Sequence, residues 1–258
     1  MPLTGSLTSL LLRGLLAGLI AGLLAATVGY FVGEPKIDAA IAIEEAASAH
    51  ADSGAEAGHT HGDEEEPLVS RDGQKAGQFL ALGLGGMAFG AIFAAAAHYA
   101  RRVSTLSGPT LAIALAIGGW LAIVAVPFFK YPANPPAVGD PDTINDRTLL
   151  WVAAVVLGLV AVGAGVFVHR VVHVGFETVR VIAGVLAFVV IVTLGYVLLP
   201  GVDEVKADFP ASLLWQFRIA SMAQTATLWA ALGLAFAFLT EYTSRSSAPA
   251  REEIPAAA

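Results

Sequence analysis

The sequence contains no cysteine and few charged residues, and these two shortages exclude most classes of soluble protein. Without cysteine among its 258 residues, the chain has no disulfide framework, iron–sulfur cluster or thiolate metal site. Charged residues make up only 14% of the chain, whereas a soluble domain carries about 25%. Hydrophobic residues make up 56%, and the mean hydropathy is +0.71. The composition therefore indicates an integral membrane protein.

Motifs of common enzyme and binding-protein classes are also missing. The chain has no G-x-x-x-x-G-K-[ST] phosphate loop, no H-E-x-x-H zinc motif and no G-x-S-x-G nucleophile elbow. Its formal net charge of −7 opposes a nucleic-acid partner, which would require basic patches. We therefore predict no enzymatic activity, no nucleic-acid binding and no tightly bound cofactor.

Six apolar runs are long enough to cross the hydrocarbon core of a bilayer, which takes about 20 residues. None shows the alternation of a membrane β-barrel strand. The predicted fold is an all-α integral membrane protein, a bundle of about six transmembrane helices that forms one domain over residues 1–258. The first run is too long for a signal peptide, so we expect a retained helix. The predicted spans are residues 14–32, 76–100, 110–129, 149–168, 179–199 and 211–239.

The basic residues favour a topology with both termini in the cytoplasm of a bacterial cell and the chain in its inner membrane. The short turn with Arg101 and Arg102 beside a helix end weighs most, because the positive-inside rule counts Lys and Arg in short loops. In this topology, 17 of the 21 acidic residues lie in the outer loops.

Glycine recurs at helical spacing in the first two predicted spans. Gly14, Gly18 and Gly22 form a doubled G-x-x-x-G, and Gly86 and Gly90 form another. Small residues four positions apart allow two helices to approach closely. Packing within the bundle is the favoured interpretation, and a subunit interface is the alternative.

The predicted outer loop 33–75 is rich in histidine and acidic residues. Its Gly, Ser and dense like charge predict a mobile segment, although residues 37–46 have the pattern of a short amphipathic helix. Imidazole and carboxylate groups together bind first-row divalent ions, so this loop is a candidate for metal capture. A solvated acidic loop with incidental histidines is the equally weighted alternative. The candidate ligands are His50, His59, His61, Asp63, Glu64, Glu65 and Glu66.

Polar residues interrupt the last apolar run. A charge at the centre of a membrane helix costs roughly 2.5–3.5 kcal/mol, so such residues usually face protein or a watery cavity. The run predicts a polar stripe on one face of the helix, which is a candidate lining of a transport pathway; the favoured alternative is that Arg218 extends to the outer surface. The candidate pathway residues are Gln216, Arg218, Ser221, Gln224 and Thr225.

Two histidines mark the inner end of the fourth predicted span. His169 and His173 stand four positions apart, with Glu177 one turn further. If the helix continued, this spacing would suit a cation. Gly175 opposes a continuous helix, so histidines hydrogen-bonded at the interface are the favoured alternative.

The outer loop 130–147 begins within a proline-rich segment. Five prolines between residues 127 and 141 fix a stiff, non-helical path, which aromatic residues anchor at the interface. This segment is a candidate lid over a transport entrance, or simply a connector. The candidate entrance residues are Tyr131, Pro132, Asn134, Pro135, Pro136 and Asp140.

The proline segment, PFFKYPANPPAVGDP over residues 127–141, resembles the CbtA family of proposed cobalt transporter subunits. Asp142, Thr143, Ile144 and Arg147 extend the match, and the glycine-rich first helix and the His- and acid-containing outer loop agree with it. The resemblance implies uptake of Co²⁺ for cobalamin synthesis, with a small one-helix partner, CbtB. We therefore predict a membrane permease component for a divalent metal; the alternative is a non-transporting scaffold that stabilises or gates a partner subunit.

Overall fold

The computed structural model describes residues 3–53, 69–136, 138–173 and 175–246, and these contain helices but no strand. Six helical segments among them are long and apolar enough to cross a membrane, which confirms the predicted all-α bundle of about six spans. The helices are α1 (Leu7–Val28), α2 (Glu34–Ser53), α3 (Arg71–Ala100), α4 (Gly108–Trp120), α5 (Val126–Lys130), α6 (Ile144–Val171), α7 (Glu177–Leu198) and α8 (Ala211–Ser246).

Two of the spans are composite, and a π-helical turn joins their parts. Gly29–Gly33 connects α1 to α2, and Leu121–Ala125 connects α4 to α5. Each π-helical turn ends two residues before a proline, Pro35 or Pro127. A proline ring clashes with the carbonyl four residues earlier and lacks an N–H donor. We attribute the wider turns to this clash, since they let the chain continue as one helix past the proline.

The helices extend beyond the apolar runs, which corrects the bounds of the predicted loop 33–75. The first helical segment continues through α2 to Ser53, and α3 begins at Arg71 rather than at residue 76. Hydropathy detects only the apolar part of a helix, whereas local capping and ion pairs extend it. The Ser70 hydroxyl caps α3 by accepting from the Gly73 N–H at 3.2 Å. Asp38 on α2 pairs with Arg71 and Lys75 on α3 at 2.9 and 2.7 Å.

The glycine repeats bring α1 and α3 into close antiparallel contact. Gly18 lies opposite Gly86, and a Cβ added to Gly18 would lie only 2.7 Å from the carbonyl carbon of Gly86. Gly14 meets Gly90 in the same way. Glycine is therefore required here for steric reasons, and the contact is within the chain, as the favoured interpretation predicts.

The remaining helices form a core and a periphery. Helices α1, α3, α4 and α8 enclose the main hydrophobic core, where the Phe89 and Phe93 rings of α3 meet the Trp229 and Phe236 rings of α8. Helix α6 packs against the Leu121–Ala125 turn, and α7 packs mainly on α6. Gly184 is the one buried residue of α7, so most of that helix faces outward.

Contacts between loops define the two ends of the bundle. At one end Arg101 donates to the carbonyl oxygens of Leu3 and Gly5, and the Thr4 and Ser244 hydroxyls lie 3.2 Å apart. At the other end α2, the proline segment and the segment before α8 share a small apolar cluster of Ala40, Val138, Val205, Phe209 and Leu214. Both ends of the described chain therefore lie on the same side of the bundle.

Candidate functional site

A cavity of about 550 Å³ lies where the proline segment covers the beginning of α8. The start of α6 and the segment between α7 and α8 complete its walls. The cavity unites two groups of residues that the sequence nominates separately, three from the candidate entrance and three from the candidate pathway. These are Tyr131, Pro132, Asn134, Arg218, Ser221 and Thr225.

The Arg218 side chain joins α8 to the proline segment across this cavity. Its Nε donates to the Ala133 carbonyl oxygen at 3.3 Å, and its Nη2 donates to the Asn134 Oδ1 at 2.9 Å. No carboxylate in the described part of the chain forms an ion pair with Arg218. The guanidinium is therefore held by neutral oxygens and not by an ion pair, and it ties the proline segment to α8.

A second group of contacts is centred on Glu204, in the segment before α8. Its carboxylate accepts from the Thr143 hydroxyl and from the Asp140 N–H, and it pairs with the Arg147 Nη1 at 3.1 Å. Arg147 also donates to the Asp140 carbonyl oxygen at 3.1 Å. These bonds, that from Thr143 first, lower the pKa of the Glu204 carboxyl below its ordinary value. Glu204 thus holds the end of the proline segment against α6.

Acid should weaken this arrangement. Because the pKa of Glu204 is lowered in the folded protein, its contribution to stability is complete above the ordinary glutamate pKa and is lost as the pH falls through the lowered value. We expect the thermal stability of the wild type to decrease over this acidic window. The Glu204→Gln variant should start lower and show a smaller decrease. Equal pH dependence in the two proteins, measured by thermal unfolding in detergent, would contradict this role of the carboxylate.

Gly139 turns the chain beside the Arg147–Glu204 pair. Its φ of +113° lies in the left-handed region, and a Cβ there would overlap the Arg147 guanidinium and approach the Glu204 Oε2 to 3.2 Å. We expect Gly139→Ala to lower the free energy of unfolding by about 1–3 kcal/mol. Gly201→Ala is the matched control, because a Cβ at Gly201 meets nothing within 4 Å. Equal losses in both variants, measured by unfolding in detergent, would refute the steric argument.

Two side chains at the beginning of the proline segment bond to the last turn of α7 and to the residues that follow it. Lys130 Nζ donates to the Tyr196 carbonyl oxygen at 2.9 Å, and the Tyr131 hydroxyl donates to the Pro200 carbonyl oxygen at 2.8 Å. Burial raises the pKa of the Tyr131 phenol above its ordinary value. Of the other candidate entrance residues, Pro135, Pro136 and Asp140 lie outside the cavity lining.

The residues of the predicted polar stripe of α8 do not share one environment. Gln216 is exposed on the outside of the bundle. Gln224 points towards α1, where its Nε2 would meet a Cβ at Gly29 at 2.5 Å, and the Gln78 amide of α3 approaches the same glycine. The Gln78 Oε1 is buried and has no hydrogen-bond partner in the described part of the protein. Gln224 therefore lies beside the first π-helical turn and not in the cavity lining.

The polar lining of the cavity ends at Thr225. One turn further along α8, Trp229 packs edge-on against Phe89 with ring centroids 5.5 Å apart. Trp229 is 6% exposed and belongs to the main hydrophobic core. In this conformation the cavity is therefore closed towards the opposite end of the bundle.

The inner histidines do not form the shared site considered for them. Helix α6 ends at Val171, so the face that His169 and His173 would share is lost. His169 Nε2 lies 2.8 Å from Glu177 Oε1, and His173 Nδ1 donates to the Val171 carbonyl oxygen at 2.7 Å. Both histidines bond locally at the end of the bundle, as the interfacial alternative expects.

The outer capture residues fall mainly outside the described part of the protein. His50 lies on the backbone of α2, whereas His59, His61, Asp63, Glu64, Glu65 and Glu66 all lie in the segment 54–68, which the structure does not describe. Metal capture by this segment thus stays a prediction. Among the residues that are described, no three His, Asp or Glu side chains converge as a metal site.

Sequence reasoning did not nominate Asp203, Glu204 or Arg147 as site residues. Asp203 and Glu204 line the cavity from the α7–α8 segment, and Arg147 lines it from the first turn of α6. Arg147 is one of the residues that carry the family resemblance, so the sequence did offer a reason to nominate it. Nothing local to the α7–α8 segment distinguishes Glu204 from the other outer acids, because its partners lie about 60 residues earlier.

Comparisons with known proteins identify a family. No curated protein and no solved structure matches this chain. The family model described as "Probable cobalt transporter subunit (CbtA)" matches residues 7–241, nearly the whole chain. The match includes all the helices that build the cavity, and it confirms the resemblance of the proline segment. The chain therefore belongs to the CbtA family of probable cobalt transporter subunits.

Proposed function

We propose that this protein is the membrane component of a permease that takes up a divalent metal ion, with Co²⁺ for cobalamin synthesis as its cargo. Family membership supports a role in metal transport. The observation that carries the further step is the cavity, where the proline lid and the polar residues of α8 meet. Ala133, Asn134, Ser221 and Thr225 line it with carbonyl, amide and hydroxyl oxygens, of which those of Ala133 and Asn134 are bonded to Arg218, and Asp203 supplies a carboxylate at its wall.

Arg218 is the element that closes the cavity to cations. No described carboxylate forms an ion pair with it, and its positive charge repels a divalent ion approaching the same oxygens. Ala133 and Asn134 accept the hydrogen bonds of Arg218. Movement of the proline segment away from α8 would therefore free both the guanidinium and these two oxygens. We therefore assign the described conformation to a closed state, with the aromatic contact of Trp229 and Phe89 as the inner barrier.

The membrane potential is a sufficient source of energy for uptake. A doubly charged cation that moves inward through 100 mV gains about 4.6 kcal/mol, which corresponds to a gradient of more than about a thousandfold. Inward transport driven by the membrane potential also implies a location and an orientation for the protein. The protein lies in the inner membrane of a bacterium, with both termini in the cytoplasm and the proline lid outside. A small one-helix subunit of the CbtB type is its partner.

Flux through the purified chain in liposomes tests the proposal. With an inside-negative potential, we expect Co²⁺ uptake that competing Ni²⁺ and Zn²⁺ reduce to different extents. Flux by the chain without a partner would exclude the scaffold alternative. Three results together would favour the scaffold alternative. The chain alone would show no flux, flux would appear when the partner is co-purified with it, and this flux would persist when a large side chain such as that of Ser221→Trp fills the cavity.

The outer histidines should matter only when metal is scarce. Replacement of His50, His59 and His61 by Ala should reduce uptake severalfold at limiting Co²⁺ and leave it unchanged at saturating Co²⁺, because capture raises the local concentration and not the turnover. His98→Ala is the control, since His98 bonds to Arg101 and Arg102 at the opposite end of the bundle. Unchanged uptake at every concentration would remove the segment from the mechanism.

A further inference from the structure

A second, larger cavity lies between α6, α7 and the turn that joins α3 to α4. It measures about 840 Å³, and most of its lining is apolar, from Leu121 and Val162 to Val185 and Phe188. Val185 is 55% exposed, so the groove opens to the outside of the bundle and not into its core. A groove of this kind within the membrane is in contact with lipid.

One end of the groove is basic. Arg170, Arg180 and His169 line it there, and a smaller cavity of about 340 Å³ beside it is lined by Arg170, Arg180 and His173. Arg180 donates to the His169 carbonyl oxygen at 3.2 Å and pairs with Glu177. Arg170 forms no hydrogen bond or ion pair within the described residues. Two arginines therefore face one carboxylate, and the excess charge is positive.

The groove has the length of one bilayer leaflet. From Arg180 to Val189 the lining follows ten residues of α7, and the nine steps between them rise about 14 Å at 1.5 Å per residue. Half of the hydrocarbon core is about 15 Å. A transmembrane helix would need a groove about twice as long, whereas an acyl chain that begins at the interface ends at the middle of the bilayer.

We propose that this groove binds an anionic phospholipid. Its phosphate lies between Arg170 and Arg180, and one acyl chain lies along α6 and α7 towards Phe188 and Val189. Basic pockets between membrane helices are suited to acidic lipid headgroups, and the groove adds a matching apolar surface. This groove is separate from the cavity between the proline segment and α8. The beginning of α6, with Arg147, lines that cavity, and the end of α6, with Arg170, lines the groove.

Arg170→Gln tests the headgroup contact in the delipidated full chain. Native mass spectrometry should show about a fivefold loss of affinity for phosphatidylglycerol, the effect expected for one interfacial arginine. The loss for phosphatidylcholine with the same acyl chains should be smaller, because its choline cation offsets the charge of the phosphate. Arg245→Gln is the matched control, because Arg245 is an exposed arginine on α8, outside the groove. Equal effects of the two substitutions, or equal affinity of the wild type for both lipids, would overturn the proposal.

Val185→Trp tests the acyl-chain contact independently. The indole should fill the groove and weaken binding of both lipids, while thermal unfolding confirms that α6 and α7 still pack. Inorganic phosphate should compete only weakly, since it lacks the acyl chain. Competition by phosphate at the affinity of the lipid, or lipid binding that Val185→Trp leaves intact, would show a headgroup-sized anion site and refute the lipid site.

Discussion

Gly86→Leu is expected to destabilise the folded protein by at least about 3 kcal/mol. A Cβ at Gly86 would overlap the Gly18 carbonyl oxygen and approach the Gly22 Cα to 2.9 Å. Both of these obstacles are backbone atoms, so no side chain can move aside, and α1 must separate from α3. Measurement of unfolding in mixed micelles, together with the yield of monodisperse protein, will show the loss.

Gly85→Leu is the matched control for this prediction. It makes the same chemical change one residue earlier in α3, but Gly85 is exposed and a Cβ there meets nothing within 4 Å. We expect a change within about 0.5 kcal/mol. If Gly85→Leu were as damaging as Gly86→Leu, helix propensity or insertion, and not the contact between α1 and α3, would explain the glycines.

Ser221→Trp is expected to reduce Co²⁺ flux in proteoliposomes by more than about tenfold, equivalent to at least 1.4 kcal/mol of added barrier. Ser221 lines the proline-lid cavity one turn beyond Arg218, where a large side chain occupies the space that the proposed pathway needs. Protein folding should be retained, because the indole can enter an existing cavity of about 550 Å³.

Gln216→Trp separates the structural assignment from the sequence pattern. Gln216 belongs to the same predicted stripe of α8, but its side chain is exposed on the outside of the bundle. We expect flux close to that of the wild type. Loss of flux in Gln216→Trp together with normal flux in Ser221→Trp would place the pathway on another face of α8 and refute the cavity as the route.

The sequence predicted neither the two π-helical turns nor the end of the first helical segment. Residues 37–46 have the pattern of a short amphipathic helix within a predicted loop, whereas the chain continues from α1 as one helical segment and remains helical to Ser53. The start of α2 is joined to α3 by ion pairs of Asp38 with Arg71 and Lys75, more than 30 residues away. Periodicity and hydropathy are local averages, so neither contains that information.

The candidate site was predicted in parts but not as a whole. The proline segment and the polar interruption of the last span were both evident, and Asn134 and Arg218 were both nominated. Their hydrogen bond joins residues 84 positions apart, and nothing in either segment specifies the other. Conversely, Gln216 and Gln224 fitted the polar pattern of α8, but the rotation of the helix in the bundle gives them other neighbours.

The sequence by itself determined that this protein crosses the membrane, because a run of apolar residues has a transfer free energy that depends on its composition alone. It also indicated that α1 and α3 each have a face suited to close helix packing, since glycines four positions apart leave a flat helix face wherever they occur. Only the tertiary structure decided which polar side chains share a cavity, which acids are neutralised and that Arg170 and Arg180 lie together at one end of an apolar groove. Those properties depend on distances between segments far apart in the chain, and such distances are set when the helices pack.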